Sequence, residues 1–103
     1  MKPEKTKMFV LVRNDIPPIH RAVQGSHAVA EFLLRHNREG WGNGTMIMLG
    51  VPNEKALRYW KAKLADKAVA FYEPDIGNQM TALATIDDFE SRTFKRLKLL
   101  TMG

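Results

Sequence analysis

The stretch Met8-Phe9-Val10-Leu11-Val12-Arg13 says more about the fold than any other part of the sequence. Five consecutive apolar residues bounded by a charged one are typical of a β-strand buried on both faces, as in a sheet covered by helices. Asn14, Asp15, Pro17 and Pro18 then predict a loop. A helix can begin beside Pro18 without losing a hydrogen bond, because its first N–H groups have no partner within the helix. The opening unit is therefore predicted as strand, loop and helix.

The rest of the chain alternates between helical and strand patterns. From Ile19 to about His36 the period is helical. One stripe of this helix is predicted to face the core and consists of Ile19, Val23, Ser26, Ala30 and Leu33. A second stripe is polar and consists of His20, Gln24, His27 and Glu31. Further strands are predicted over 45–51, 68–72 and 80–86, and further helices over 53–65, with Asn53 as N-cap, and 88–100. We expect an α/β fold, a three-layer α/β/α sandwich with a mixed four-stranded sheet. Residues 1–7 are predicted as a flexible arm and 8–103 as a single domain.

Composition narrows the class of protein. The 103 residues contain no cysteine, which excludes disulfides and thiolate chemistry and fits a reducing compartment. Sixteen Lys and Arg against eleven Asp and Glu give a net charge of +5, which favours an anionic partner such as RNA or serves solubility alone. A membrane span needs about 20 consecutive apolar residues, and none is present. We expect a cytoplasmic protein without a membrane partner.

Two segments carry a family resemblance. Val10-Leu11-Val12-Arg13-Asn14-Asp15 and Ala22-Val23-Gln24-Gly25-Ser26-His27-Ala28 resemble the opening of type-two peptidyl-tRNA hydrolases, which have a strand ending in Arg-x-Asp and a helix reading Ala-Ala-Gln-x-Ser-His-Ala. The resemblance extends from Met8 to Leu100, through Asn53-Glu54 and the acidic loop at Asp75. Gln-x-Ser-His-Ala is its specific part.

The chain departs from that family in two places. His20 stands where family members carry a lysine, four residues before the glutamine. The family's Asp-Ala-Gly-Arg-Thr-Gln loop appears as Asp75-Ile76-Gly77-Asn78-Gln79-Met80-Thr81, without the arginine and the Pro-Gly that follow. In this respect the chain is similar to a divergent branch named only as peptidyl-tRNA hydrolase domain-containing.

The resemblance implies hydrolysis of the ester between a peptide and the terminal ribose of tRNA, which needs an activated water and a stabilised oxyanion. Asp75 would orient or deprotonate water, and His20 would take the role of the missing lysine. Among substrate-binding residues, Gln24 would donate an amide hydrogen bond and Thr81 would assist from a strand. The remaining predicted contacts are Arg13 and Arg21 to phosphate, with His27 and Asn78.

Structural alternatives exist for these residues. His20 could be simply solvated, His27 could fix its helix, and Asp75 could close a turn after Pro74. Arg13 and Asp15 are expected to pair with each other, Ser26 to face the core, and Trp41 to cap the core in preference to stacking on a base. A tRNA- or RNA-binding module without turnover and a protein-binding adaptor are the alternatives to the enzyme.

No metal or cofactor is predicted from the sequence. His20 and His27 are seven residues apart, about 10.5 Å along a helix, too far to share one ion. The HExxH, G-x-S-x-G, Walker and dinucleotide-binding patterns are absent. A homodimer is expected from the resemblance.

Overall fold

A computed structural model describes residues 6–36, 41, 44–88 and 92–101, and the structural statements below concern these residues. Its strands are β1 Thr6–Arg13, β2 Met46–Val51, β3 Ala68–Glu73, β4 Gln79–Asp88 and β5 Lys98–Leu99. Its α-helices are α1 Pro18–Arg35 and α2 Glu54–Leu64, and 3₁₀ turns occupy Ala65–Lys67 and Pro74–Ile76.

The five strands form one mixed sheet in the order β3-β4-β1-β2-β5. β1 lies at its centre, parallel to β2 and antiparallel to β4, so that Val10 is opposite Met48 on one side and Ala84 on the other. The α1 crossover joins the two parallel strands, as parallel pairing requires a long connection. β1 begins at Thr6, which pairs with Asp88. The prediction that residues 6 and 7 belong to a flexible arm is therefore wrong.

The alternation of β1 side chains divides the core into two clusters. Met8, Val10 and Val12 pack on the α1 side with Ala28 and Phe32. Phe9 and Leu11, which alternate with these residues along β1, pack on the α2 side in a cluster with Leu57 and Leu83. The continuous apolar run is thus buried on both faces, as the sequence indicated.

The α/β class and the mixed sheet are confirmed, but the predicted four-stranded three-layer sandwich is wrong. The described residues form five strands and two α-helices. The helix predicted over 88–100 is absent from 92–101, where turns lead into β5, and Leu99 pairs with Leu49. Phe94 from this segment fills the core against Phe9, with ring centroids 4.9 Å apart. The apolar residues of this segment pack into the core, but their spacing does not follow a helical period.

The buried face of α1 also differs from the predicted core stripe. Its buried residues are Gln24, Gly25, Ala28 and Phe32, whereas Ile19 is 78% exposed. Phe32 is the largest apolar side chain of the helix, and small residues on the same face let the helix approach the sheet. A Cβ at Gly25 would lie 3.0 Å from the Met48 methyl carbon and 3.2 Å from a Val12 methyl carbon.

Two local predictions agree with the structure. The Asn53 side chain accepts a hydrogen bond of 3.0 Å from the Ala56 N–H and caps α2. Trp41 packs against the α1-side core, and its indole N–H donates to the Thr45 carbonyl at 2.6 Å. Trp41 therefore serves the core.

Candidate functional site

A cleft of about 270 Å³ opens where α1 begins and β3 turns into β4. It is lined by Ile16, Pro17, His20, Val23, Gln24, Glu73, Asp75, Ile76 and Thr81, here called the cleft. β1 and β3 both end at this edge of the sheet, and α1 starts there after Pro17. Four predicted residues from two distant segments of the sequence therefore meet in one place: His20 and Gln24 from α1, and Asp75 and Thr81 from the region around the start of β4.

A buried hydrogen-bonded relay lies on the cleft wall. The Thr81 hydroxyl donates to Gln24 Oε1 at 2.6 Å, and Gln24 Nε2 donates to Glu73 Oε1 at 3.0 Å. Gln24 is 6% exposed and Thr81 1%. An ionised carboxylate can only accept hydrogen bonds, so the NH₂ end of the Gln24 amide must face Glu73. The amide oxygen then faces Thr81, whose hydroxyl must donate.

The relay leaves one N–H of Gln24 for a ligand. The amide nitrogen carries two hydrogens, of which one is used by Glu73. A donor held rigidly by a charge-assisted hydrogen bond is suited to an oxygen that gains negative charge during a reaction. Gln24 therefore keeps a hydrogen-bond donor beyond the one used by Glu73, and its role as a donor to substrate stays a prediction.

Glu73 is the cleft residue that the sequence reasoning missed. The predicted third strand ends at residue 72, whereas Glu73 is the last residue of β3 and is partly buried. Pro74 then starts a 3₁₀ turn, and Gly77 and Asn78, with φ of 71° and 59°, reverse the chain into β4. The signal for Glu73 in the sequence was a carboxylate directly after the apolar residues of a predicted strand.

His20 and Asp75 line the cleft with free side chains. Both are exposed, and among the described residues neither side chain has a hydrogen-bond or ion-pair partner. An imidazole ring carries nitrogens that can donate and accept hydrogen bonds, and carboxylate oxygens accept them. The cleft therefore combines a fixed donor, a free carboxylate and a free imidazole.

Arg13 is engaged within the protein. Its guanidinium donates to both carboxylate oxygens of Asp15, at 2.8 and 3.0 Å, and to Gln79 Oε1 at 2.7 Å. The hydrogen bonds to Asp15 raise the pKa of Arg13 and lower the pKa of Asp15. Arg13 also donates to the Met80 carbonyl at 3.3 Å, next to Thr81. It supports the start of β4 and is not among the residues that line the cleft.

Glu54 holds the same strand from the α2 side. Its carboxylate accepts the Met80 N–H at 2.7 Å and pairs with Arg58 at 3.1 Å. The backbone hydrogen bond lowers the pKa of Glu54, and the charge of Arg58 adds to the effect. The backbone preceding Thr81 is thus fixed on both sides.

Arg21 is likewise committed to the protein itself. Its guanidinium donates to the carbonyls of Asn14, Ile16 and Thr101 at 2.8, 3.0 and 2.8 Å. It ties the loop that forms one wall of the cleft to the C-terminal segment. Asn78, also predicted to bind substrate, occupies the left-handed turn and does not line the cleft.

His27 lies beside the cleft and not in it. Its ring stacks on Phe71 with centroids 4.4 Å apart and an interplanar angle of 7°. Ser26, expected to face the core, is exposed, and its hydroxyl donates to the Ala22 carbonyl at 2.8 Å. Ser26 and His27 line a shallow groove with Ala22 and Val23.

Other kinds of site find no support among the described residues. No group of three or more His, Asp or Glu side chains there is arranged to hold a metal ion. Neither described helix has the length and hydropathy that a membrane span requires.

Comparison with known proteins adds information on the fold. No family model and no curated protein matches the sequence. The chain is similar to a solved structure of Atu0240, a protein of unknown function from Agrobacterium tumefaciens strain C58, with a TM-score of 0.65 and 16% identity. The match covers 94% of this chain and 98% of that one. At this identity the likeness concerns the fold alone.

Proposed function

We propose that this chain is a peptidyl-tRNA hydrolase that cleaves the ester between a peptide and the terminal ribose of tRNA without a metal or a covalent intermediate. The observation that carries the proposal is the Gln24 amide, held between Glu73 and Thr81 in a cleft that His20 and Asp75 also line. Neither of these two side chains has a hydrogen-bond partner within the part of the chain that the structure describes. The motif Gln24-Gly25-Ser26-His27-Ala28 supports the choice of ester.

Each residue has a role that follows from its hydrogen-bonding capacity. The free N–H of Gln24 would bind the ester carbonyl oxygen and stabilise the oxyanion that forms on it. Asp75 would accept a proton from the attacking water. Water oxygen bonds to the carbonyl carbon, the carbon–ribose oxygen bond breaks, and His20 would give the ribose oxygen its proton. The products are a peptide with a free carboxyl group and tRNA with a free ribose hydroxyl.

The proposal is tested by measuring the release of peptide from purified peptidyl-tRNA. Asp75→Asn and His20→Ala are each expected to lower kcat about 100-fold, within the usual range for loss of a general acid or base. The matched controls are Asp66→Asn and His36→Ala, which make the same substitutions at exposed positions outside the cleft. The controls should keep nearly full activity.

Other outcomes favour other functions. A wild-type protein that binds tRNA in a salt-sensitive manner without turnover would be an RNA-binding module. Binding to neither tRNA nor its ester would favour the protein-binding adaptor. Turnover that is insensitive to both substitutions would show that the reaction takes place elsewhere on the chain.

A further inference from the structure

The outer face of α1 carries a shallow groove of about 330 Å³, lined by Ala22, Val23, Ser26 and His27 and here called the α1 groove. Val23 also lines the cleft, so the α1 groove and the cleft adjoin at this side chain. Val23 is 49% exposed, and Ile19 one turn earlier is 78% exposed. These two aliphatic side chains, one helical turn apart beside the cleft, form an apolar surface that a ligand in the cleft can cover.

The chemistry of the α1 groove fits an uncharged peptide segment. Ala22 and Ser26 leave room because they are small, and the Ser26 hydroxyl is already used by the Ala22 carbonyl. The groove contains neither lysine nor arginine, so it offers no permanent cation to a phosphate. His27, held flat against Phe71, supplies a ring N–H that a peptide carbonyl can accept.

We propose that the α1 groove binds the peptide part of the substrate, taking small or aliphatic residues on the N-terminal side of the ester. This inference rests on the proposed function. Gln24 and His27 are about 4.5 Å apart along the helix axis, and an extended peptide advances about 3.3–3.6 Å per residue. With the ester residue at Gln24, the second residue from the ester lies over the groove before the level of His27.

The test compares two esters that differ only in the reach of the peptide, N-acetyl-alanyl-tRNA and N-acetyl-leucyl-alanyl-tRNA. The wild type is expected to show a kcat/KM about tenfold higher for the longer ester, the gain from burying about half of a leucine side chain. Ala22→Phe fills the groove and should bring the ratio of the two kcat/KM values close to one. Ala30→Phe is the matched control on the same exposed helix surface, and its ratio should equal that of the wild type.

Failure of the inference can be told apart from failure of the proposed function. An unchanged ratio in Ala22→Phe would overturn the inference while leaving the hydrolase intact. If the wild type hydrolyses neither ester, binding of N-acetyl-leucyl-alanine amide decides through the NMR shifts of the Ala22, Ser26 and His27 backbone amides. If these amide signals do not shift, the inference that the α1 groove binds peptide is overturned. A dimer that Ala22→Phe converts to a monomer, with equal losses on both esters, would identify the groove as an interface between copies and also overturn it.

Discussion

Substituting valine for Thr81 tests the relay with little change in shape. The substitution removes the donor to Gln24 Oε1 at a position that is 1% exposed, and it leaves an amide oxygen that water hardly reaches. A buried acceptor without a partner costs about 1–3 kcal/mol of unfolding free energy. For a chain of this size, that corresponds to a fall in Tm of at least about 4 °C.

The loss of Thr81 should also reduce catalysis, because the Gln24 amide is then held only by Glu73 and can rotate away from the substrate. We expect kcat to fall about 10-fold to 100-fold, below the range measured for removal of a whole oxyanion donor. Thr85→Val is the control. Thr85 is also 1% exposed on β4, but its hydroxyl donates to the Lys67 carbonyl at 2.8 Å, away from the cleft. It should lose stability and keep kcat.

A double-mutant cycle isolates the interaction. Gln24→Leu, Thr81→Val and the double variant are unfolded in urea, and the free energies of unfolding are compared. Replacing both partners by apolar groups removes the unsatisfied atoms, so the double variant should be about 1–2 kcal/mol more stable than the sum of the single losses predicts. Additivity within about 0.3 kcal/mol, or an unchanged kcat in Thr81→Val, would refute the relay.

Two further predictions concern stability. The pKa of Asp15 is lowered in the folded state by Arg13, so the unfolded chain binds more protons near and below pH 4, and stability falls there as the carboxylate is protonated. Urea midpoints at pH 6 and pH 3 should differ less in Asp15→Asn, and an equal difference in both proteins would contradict this account. Gly25→Val should lower the free energy of unfolding by about 1–3 kcal/mol, because the valine side chain would clash with Met48. A Tm equal to that of the wild type would show that the sheet side chains move aside and would contradict this prediction.

The sequence predicted the central part of the fold because local pattern and tertiary position agree there. Residues 8–12 are apolar without interruption, and only a strand between two layers buries all of them. The 92–101 segment was mispredicted because Phe94 and Leu97 satisfy the core from turns, which leave no periodic signal. The core face of α1 was also misplaced. Gln24 is polar in sequence and buried in structure, and its partners Glu73 and Thr81 are 49 and 57 residues away.

The sequence predicted which polar residues line the cleft better than it predicted what the arginines contact. His20, Gln24, Asp75 and Thr81 meet in the cleft as the resemblance implied. Arg13 was expected both to pair with Asp15 and to contact phosphate, and the pairing is what the structure contains. Sequence cannot show which charged groups have partners within the protein, since that depends on where other segments end.

The hydrogen-bond networks of Arg13 and Arg21 change how the charge of the protein should be counted. The +5 excess includes Arg13 and Arg21, whose guanidinium groups face a carboxylate and backbone carbonyls. Counterion release on binding a polyanion depends on the phosphates that cations actually neutralise, not on net charge. The salt dependence of tRNA affinity would therefore be set by exposed cations such as Lys55 and Lys67. The two arginines contribute to the shape of the molecule more than to its attraction for nucleic acid.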